Sequence, residues 1–296
     1  MSSSVCIILV NFKNEQKTVD CLRALEKSTV QPACVCIVDN ASTEKSKQLF
    51  WSHTFKFKVR WIWNEKNHGF AAACNQGIRL AQSANEPYDI WLLNNDTLPE
   101  KDALKELLQK SKESRAGITG SAIYTQSGDF SGGAGKTHPR LATVSRINSP
   151  EDTDFDYIEG SSFFISHDCL EKTGLLSEEY FLYYEENDYC RRAVNNGFSL
   201  AFAPKSIIKH DIGSSTGSET GKGKTPFFID CLMVRNRTLF AKKFGWPLWG
   251  YTLSLLISLV LRLKRGQFQR IASICKIVIS RKQFLRFVQK NDGWIE

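Results

Sequence analysis

No two cysteines of this 296-residue chain stand in a C-x-x-C arrangement, although nine are present. Nine is an odd number, and Cys6, Cys34, Cys36 and Cys74 lie inside apolar strand or helix patterns. A disulfide framework is therefore not expected, and a reducing cytosol suits the chain better. A charged leader is missing too: Met1-Ser2-Ser3-Ser4 runs straight into Val5–Val10, too short an apolar stretch for a signal peptide. No G-x-G-x-x-G turn follows that first strand, which argues against a dinucleotide cofactor. The stretch Gly245 to Leu261 is 17 residues without a charge; as a helix it reaches about 26 Å, short of a comfortable membrane span.

What is present is a globular composition, 42% hydrophobic and 24% charged, in a chain long enough for one full core with an appendage. The net charge of +8 is unevenly placed. From Arg235 onward 13 Lys and Arg face only Asp292 and Glu296, a balance of +11, which leaves −3 for the first 234 residues. Basicity joined to the longest apolar run points to an anionic membrane surface, not to nucleic acid.

The stretch Ile90-Trp91-Leu92-Leu93-Asn94-Asn95-Asp96-Thr97 organises the rest. Its apolar half predicts a strand covered on both faces, and its polar half falls where open α/β sheets bind ligands. A single carboxylate there, completed by phosphates and water, is a common way to hold Mg²⁺ or Mn²⁺; turn and helix-cap chemistry explains the same residues without a metal. Upstream, strands over 5–10, 34–38 and 57–63 alternate with helices over 15–27, 43–55 and 70–84. This β-α order predicts a parallel, Rossmann-like sheet. Its strand ends carry polar clusters at Asn11, Asp39-Asn40 and Asn67-His68-Gly69-Phe70, the last leading into small residues and Asn75. A helix opening on glycine and alanines lets backbone amides approach a phosphate.

Thr125 to Asp156 loses periodicity and reads as a mobile loop or hairpin, a guess for acceptor contact. Gly160-Ser161-Ser162 begins a strand whose small residues suit close approach to a ligand. In Tyr184-Glu185-Glu186-Asn187-Asp188 aromatics run into three carboxylates, a setting for a general base or for acidic residues in a helix's first turn. Ser199–Ala203 and Ser206–Lys209 read as two short strands around Pro204, ending at His210. Gly213 to Lys224 has the composition of a lid.

Taken in order, Val10-Asn11-Phe12, Val38-Asp39-Asn40-Ala41-Ser42, Asn67-x-Gly-Phe, Leu93 to Thr97, Gly160-Ser161-Ser162, Tyr184 to Asp188 and His210 resemble inverting, family-2-like nucleotide-sugar glycosyltransferases of the GT-A fold, in the bacterial group that includes rhamnosyltransferases. The resemblance covers roughly residues 4 to 240. It implies a nucleoside-diphosphate sugar donor held by Asn11, Asp39, Asn40, Asn67, Gly69, Phe70, Asn75, Asn94, Asn95 and Gly160. It implies Mg²⁺ or Mn²⁺ on Asp96 and His210, and a base at Glu186 with Glu185 and Asp188 as alternatives. Two positions depart from the pattern: the first acidic residue of the metal motif is Asn94, and the base position, more often Asp, is Glu186. The implied acceptor is a glycan or lipid-linked hydroxyl in bacterial surface polysaccharide synthesis.

The expected organisation is an α/β GT-A domain over 1–225, with a nucleotide-binding half (1–115) and an acceptor half (116–225). A basic, helical, amphipathic tail over 226–296 follows. Arg235 in that tail can also approach the diphosphate. Basic flanks on both sides of 245–261 predict a segment lying in the membrane interface, on the inner face of the cytoplasmic membrane; a buried helical subdomain or an oligomer contact is the alternative. Competing functions are a nucleotidyltransferase, which would need a glycine-rich loop after the first strand, and a non-catalytic sugar-nucleotide binding protein.

Overall fold

The computed structural model describes residues 4–84, 86–210 and 225–291. They form two compact units: Met1–Lys136, Arg146–Phe181 and Glu185–Asp211 in the first, and Thr137–Ser145, Leu182–Tyr184 and Ile212–Glu296 in the second. The tail expected to begin at 226 thus shares its unit with two short earlier segments. The lid expected over 213–224 lies outside the described residues.

In the first unit β1 (Ser4–Asn11), β2 (Cys34–Asn40), β3 (Lys58–Asn64) and β4 (Tyr88–Asn94) alternate with α1 (Glu15–Leu25), α2 (Glu44–Trp51) and α3 (Phe70–Gln82). β2 is buried throughout and β1 and β4 nearly so, as expected of strands with helices on both faces. Next come β5 (Thr97–Pro99), α4 (Ala103–Ser114), β6 (Ile118–Tyr124), β7 (Phe130–Gly132), β8 (Ala134–His138), whose last residues are assigned to the second unit, and β9 (Thr143–Arg146), assigned to the second unit except for Arg146. The unit ends with β10 (Tyr157–Ile158), β11 (Ser162–Ile165), α5 (His167–Thr173), α6 (Glu185–Asn195) and β12 (Leu200–His210).

The main sheet runs β3-β2-β1-β4-β11-β6-β12-β5, with β7 on β6. Its first four strands are parallel, and chain order reverses between β1 and β4, the switch point at which such sheets open a ligand crevice. The mostly parallel sheet expected from the sequence is corrected beyond β4. β11 enters antiparallel to both β4 and β6, and β5 is antiparallel to β12. A run of buried polar groups ties these strands: Trp91 Nε1 donates to Ser162 Oγ at 2.9 Å, Ser162 meets Ser121 at 2.7 Å, Ser121 meets Ser206 at 2.8 Å, and Ser206 donates to the Ala103 carbonyl. The two short strands expected around Pro204 are one strand, β12, with a register shift between Ala203 and Ile207; Pro204 lacks the N–H that an unbroken ladder needs. Part of 125–156 is ordered as β7, β8 and β9, and β8 pairs with β10 through Ala134 and Gly135.

The second unit is helical: α7 (Phe227–Lys243), α8 (Leu248–Lys264), α9 (Phe268–Ile279) and α10 (Arg281–Asn291). Ser280, extended at φ −127° and ψ 116°, separates α9 from α10. Asp230 on α7 clasps two other helices, accepting from Arg262 Nε at 2.9 Å and pairing with Arg270 at 2.8 Å. Burial alone would raise the Asp230 carboxyl, but the two guanidiniums outweigh it and hold it below its usual range.

Two outcomes are expected. At Gly77 on α3 an added Cβ would come within 2.5 Å of the buried, β-branched Ile8 Cγ2, so Gly77→Val should lower unfolding stability by about 1–3 kcal/mol in denaturant titration. Since the folded Asp230 pKa lies below the unfolded one, its clasp stabilises fully above about pH 4 and is lost as pH falls through the lower folded value. Asp230→Asn should cost about 3 kcal/mol near neutrality and flatten that acid limb; unchanged midpoints at pH 7 would show that the clasp contributes nothing.

Candidate active site

The site is assembled at the carboxyl ends of β1, β2 and β4. Asn11 and Asp39 are in register at the ends of β1 and β2, and Asn11 Nδ2 donates to Asp39 Oδ1 at 2.8 Å. The second Asp39 oxygen accepts from Ser46 Oγ at 2.8 Å; Ser46 also closes a capping box with Thr43 at the start of α2. Asn95 Nδ2 donates to Asn11 Oδ1 at 3.2 Å and to Thr18 Oγ1 at 2.8 Å, which brings the β4 end into the same network. Asn11, Thr18, Asp39, Ser46 and Asn95 are buried, so both carboxylate oxygens are hydrogen-bonded where water is scarce.

Asn40 governs the next loop. It donates to Asn67 Oδ1 at 2.8 Å and to the Gly69 carbonyl, and accepts from the His68 amide at 3.1 Å. Asn67 in turn accepts from the Gly69 amide at 2.9 Å. Gly69 holds φ +88°, and a Cβ there would meet the Phe181 carbonyl and ring at 2.6 Å. The Phe70 amide donates to that Phe181 carbonyl at 2.7 Å, so the loop opening α3 is fastened to the turn before α6.

Pairing of β5 with β12 sets Thr97 opposite His210. Asp96, one residue earlier, therefore meets the imidazole: His210 Nε2 lies 3.1 Å from Asp96 Oδ1, both side chains being buried. His210 Nδ1 is buried and has no hydrogen-bond partner among the described residues. One carboxylate and the imidazole Nε2 that faces it fit a divalent ion whose other ligands would be oxygens of a diphosphate, with Nδ1 on the far side of the ring from the ion. Near enough to feel the charge of His210, Glu159 accepts from Arg146 Nε at 2.5 Å and from the Gly133 amide at 3.1 Å. Burial keeps the Glu159 carboxyl above its usual range, against the pull of Arg146, the Gly133 amide and His210. Among the described residues the group of three or more candidate ligands close enough to share an ion is Cys6, Cys34 and Cys36, thiols in the apolar floor near the opposite strand ends.

The turn into α6 is strained: Phe181, Tyr183 and Tyr184 adopt φ of 69°, 70° and 76°. Bulky side chains rarely hold this conformation, and such positions gather at functional sites. The turn delivers Glu185 and Glu186. Glu185 is buried, near enough to Cys74 of α3 to raise that thiol's pKa beyond what burial does. Glu186 is half-buried and faces Gly160, where an added Cβ would sit 3.9 Å from it.

Three of the expected site residues have partners within the protein. Asp188 is buried and braced by Tyr180 Oη at 3.0 Å and Arg192 Nε at 2.7 Å, so it anchors α6. Asn75 bonds the Leu176 backbone in both directions and Glu178 at 2.8 Å, stitching α3 to the 175–178 segment. Arg235 is buried in the second unit, stacked 3.7 Å from the Phe284 centroid and donating to Asn236. In each case a polar residue inside a motif was already committed to packing. Glu159, Thr18 and Ser46 were missed; only Glu159 had a local signal, its place directly before Gly160-Ser161-Ser162.

The sequence profile of glycosyl transferase family 2 matches residues 4–170, more than half of the chain. This chain belongs to that family. Among curated relatives of this family-2 protein, the low-salt glycan biosynthesis hexosyltransferase Agl10 of Haloferax volcanii is 26% identical over 206 residues, covering 68% of this chain and 64% of that enzyme. The dTDP-rhamnosyl transferase RfbF of Shigella flexneri is 23% identical over 225 residues, covering 73% and 72%. The fold is shared with solved structures of GalNAc-T7 with UDP, GalNAc and Mn²⁺ (TM-score 0.58, 16% identity, 70% of this chain and 44% of that one). It is also shared with S. aureus TarS 1-349 in complex with UDP-GlcNAc (TM-score 0.55, 14% identity, 93% and 72%). The architecture is thus mixed α/β and GT-A-like.

The Gly69 contact generates a direct test. Gly69→Ala forces both an unfavourable φ and a clash with backbone, and should destabilise the protein by roughly 1–3 kcal/mol in thermal or denaturant unfolding. An unaltered transition would mean that the loop can separate from Phe181 freely.

Proposed function

We propose that this protein is an inverting, metal-dependent glycosyltransferase. It moves a hexose or deoxyhexose, rhamnose included, from a nucleoside diphosphate to a hydroxyl of a glycan or lipid-linked acceptor in surface polysaccharide synthesis. The observation that carries the reading is the close buried pair of Asp96 and His210 beyond β4 in a chain that also sets Glu186 against Gly160. The named activities of the hexosyltransferase and rhamnosyl transferase relatives support the reaction class, and the UDP and Mn²⁺ of the GalNAc-T7 structure support the donor type and the ion.

In this reading Asp39 and Asn11 form the floor on which the donor's base rests. The loop 67–70, set by Asn40, aims the positive end of α3 at the diphosphate. Asp96 and His210 would hold a divalent ion, which would supply positive charge beside the departing nucleoside diphosphate. Glu186 takes the acceptor hydroxyl's proton while that oxygen attacks the anomeric carbon from the face opposite the breaking carbon–oxygen bond. Inversion follows in one displacement. Glu185, the more deeply buried of the two, is the weaker candidate for base.

The first test is a donor screen by calorimetry with UDP-, dTDP-, GDP- and CMP-sugars, with and without Mn²⁺. Binding of one nucleotide class should require the ion and disappear in Asp96→Ala. Glu186→Gln should keep donor affinity while kcat falls about 10²–10⁴-fold. Folded protein that binds none of the donors would overturn the reading.

A further inference from the structure

The polarity of α8 is inverted. Its buried residues are the small Gly250, Ser254 and Ser258, spaced four apart along one stripe. Eight large apolar side chains between Leu248 and Leu263 are instead 43–66% exposed, Trp249, Leu253, Leu256, Ile257 and Val260 among them. The inward stripe is committed to polar partners. Arg237 on α7 donates to Ser258 Oγ at 2.7 Å and to the Ser254 carbonyl, while Arg262, on the same side one turn later, pairs with Asp230. At Gly250 a Cβ would come within 2.5 Å of the Arg140 carbonyl, so this side must stay small. Rotating α8 to hide its leucines would break the Asp230 clasp and bury nothing apolar on α7's arginine.

A helix that turns its serines inward and its leucines outward is arranged for an apolar surrounding. No helix of the described residues is long and apolar enough to cross a membrane. The exposed cations flanking α8, Lys242 and Lys243 before it and Lys264 and Arg265 at its end, complement an anionic surface. We infer that the Leu253–Ile257–Val260 face of α8 docks flat into the interface of an anionic lipid bilayer, with Trp249 at headgroup depth and the flanking lysines and arginines on lipid phosphates. This inference does not depend on the proposed transfer chemistry, and it defines which surface of the second unit meets the lipid.

The test is flotation of the whole protein with phosphatidylcholine vesicles, with and without 30% phosphatidylglycerol, beside light scattering of the free protein. Wild type should bind the anionic vesicles about tenfold more tightly than the zwitterionic ones. Leu256→Glu with Ile257→Glu should lose binding at least tenfold while its thermal transition and nucleotide-sugar affinity stay unchanged. A milder pair, Leu256→Ser with Ile257→Ser, should fall between and guards against misfolding of the first. Quenching of tryptophan fluorescence by lipids brominated near the headgroup should diminish in Trp249→Phe. Wild type that ignores both vesicles, or variants that float like it, would overturn the inference. So would a wild-type dimer that the glutamate variant dissociates, since a second copy would then cover the face.

Discussion

One hydrogen bond, from Asn11 to Asp39, fixes the geometry on which the site depends. A carboxylate buried at the end of a strand is tolerated only if its oxygens are satisfied, and here both are. The first oxygen locks the ends of β1 and β2 together, and the second takes the hydroxyl that caps α2. Because Asn11 also receives Asn95, the polar end of β4 is held in the same frame, one residue before Asp96. The chemistry proposed beyond β4 thus rests on a charge placed between two strands that never touch β4's far neighbours.

The second half of the sheet works by a different device. Buried hydroxyls run from Trp91 across β11 and β6 to β12, replacing side-chain bulk with directional bonds. Small residues there let β11 slip antiparallel between β4 and β6. The bulge at Pro204 then re-aims the last turn of β12 so that its end pairs with β5. Bringing residue 210 to residue 96 is the product of these long-range pairings.

This division explains what could be read in the chain. The parallel half follows from local periodicity, each strand and helix being specified by its own ten or so residues. Nothing local announces that β11 will insert antiparallel, and Pro204 reads as a break when it is a bulge inside one strand. Polar motif residues were harder still. Asn75, Asp188 and Arg235 have the same chemistry whether they meet a ligand or a backbone carbonyl, and only packing distinguishes the two uses. Asp96 and His210 were legible as types, and their meeting required the register of two strands. The strain at Phe181, Tyr183 and Tyr184 has no sequence signature, since aromatics are ordinarily at home at φ below zero.

The short bond from the Phe70 amide to the Phe181 carbonyl has a consequence for anyone who would exchange parts between such enzymes. The segment that opens α3 and the segment that carries the carboxylates of α6 are more than a hundred residues apart, yet they share one peptide contact and one glycine-shaped gap. A chimera cut anywhere between residues 70 and 181 would divide that contact between two parents. The two segments are in this sense inherited together, and a graft that carries residues 67–70 has to carry Phe181 with it.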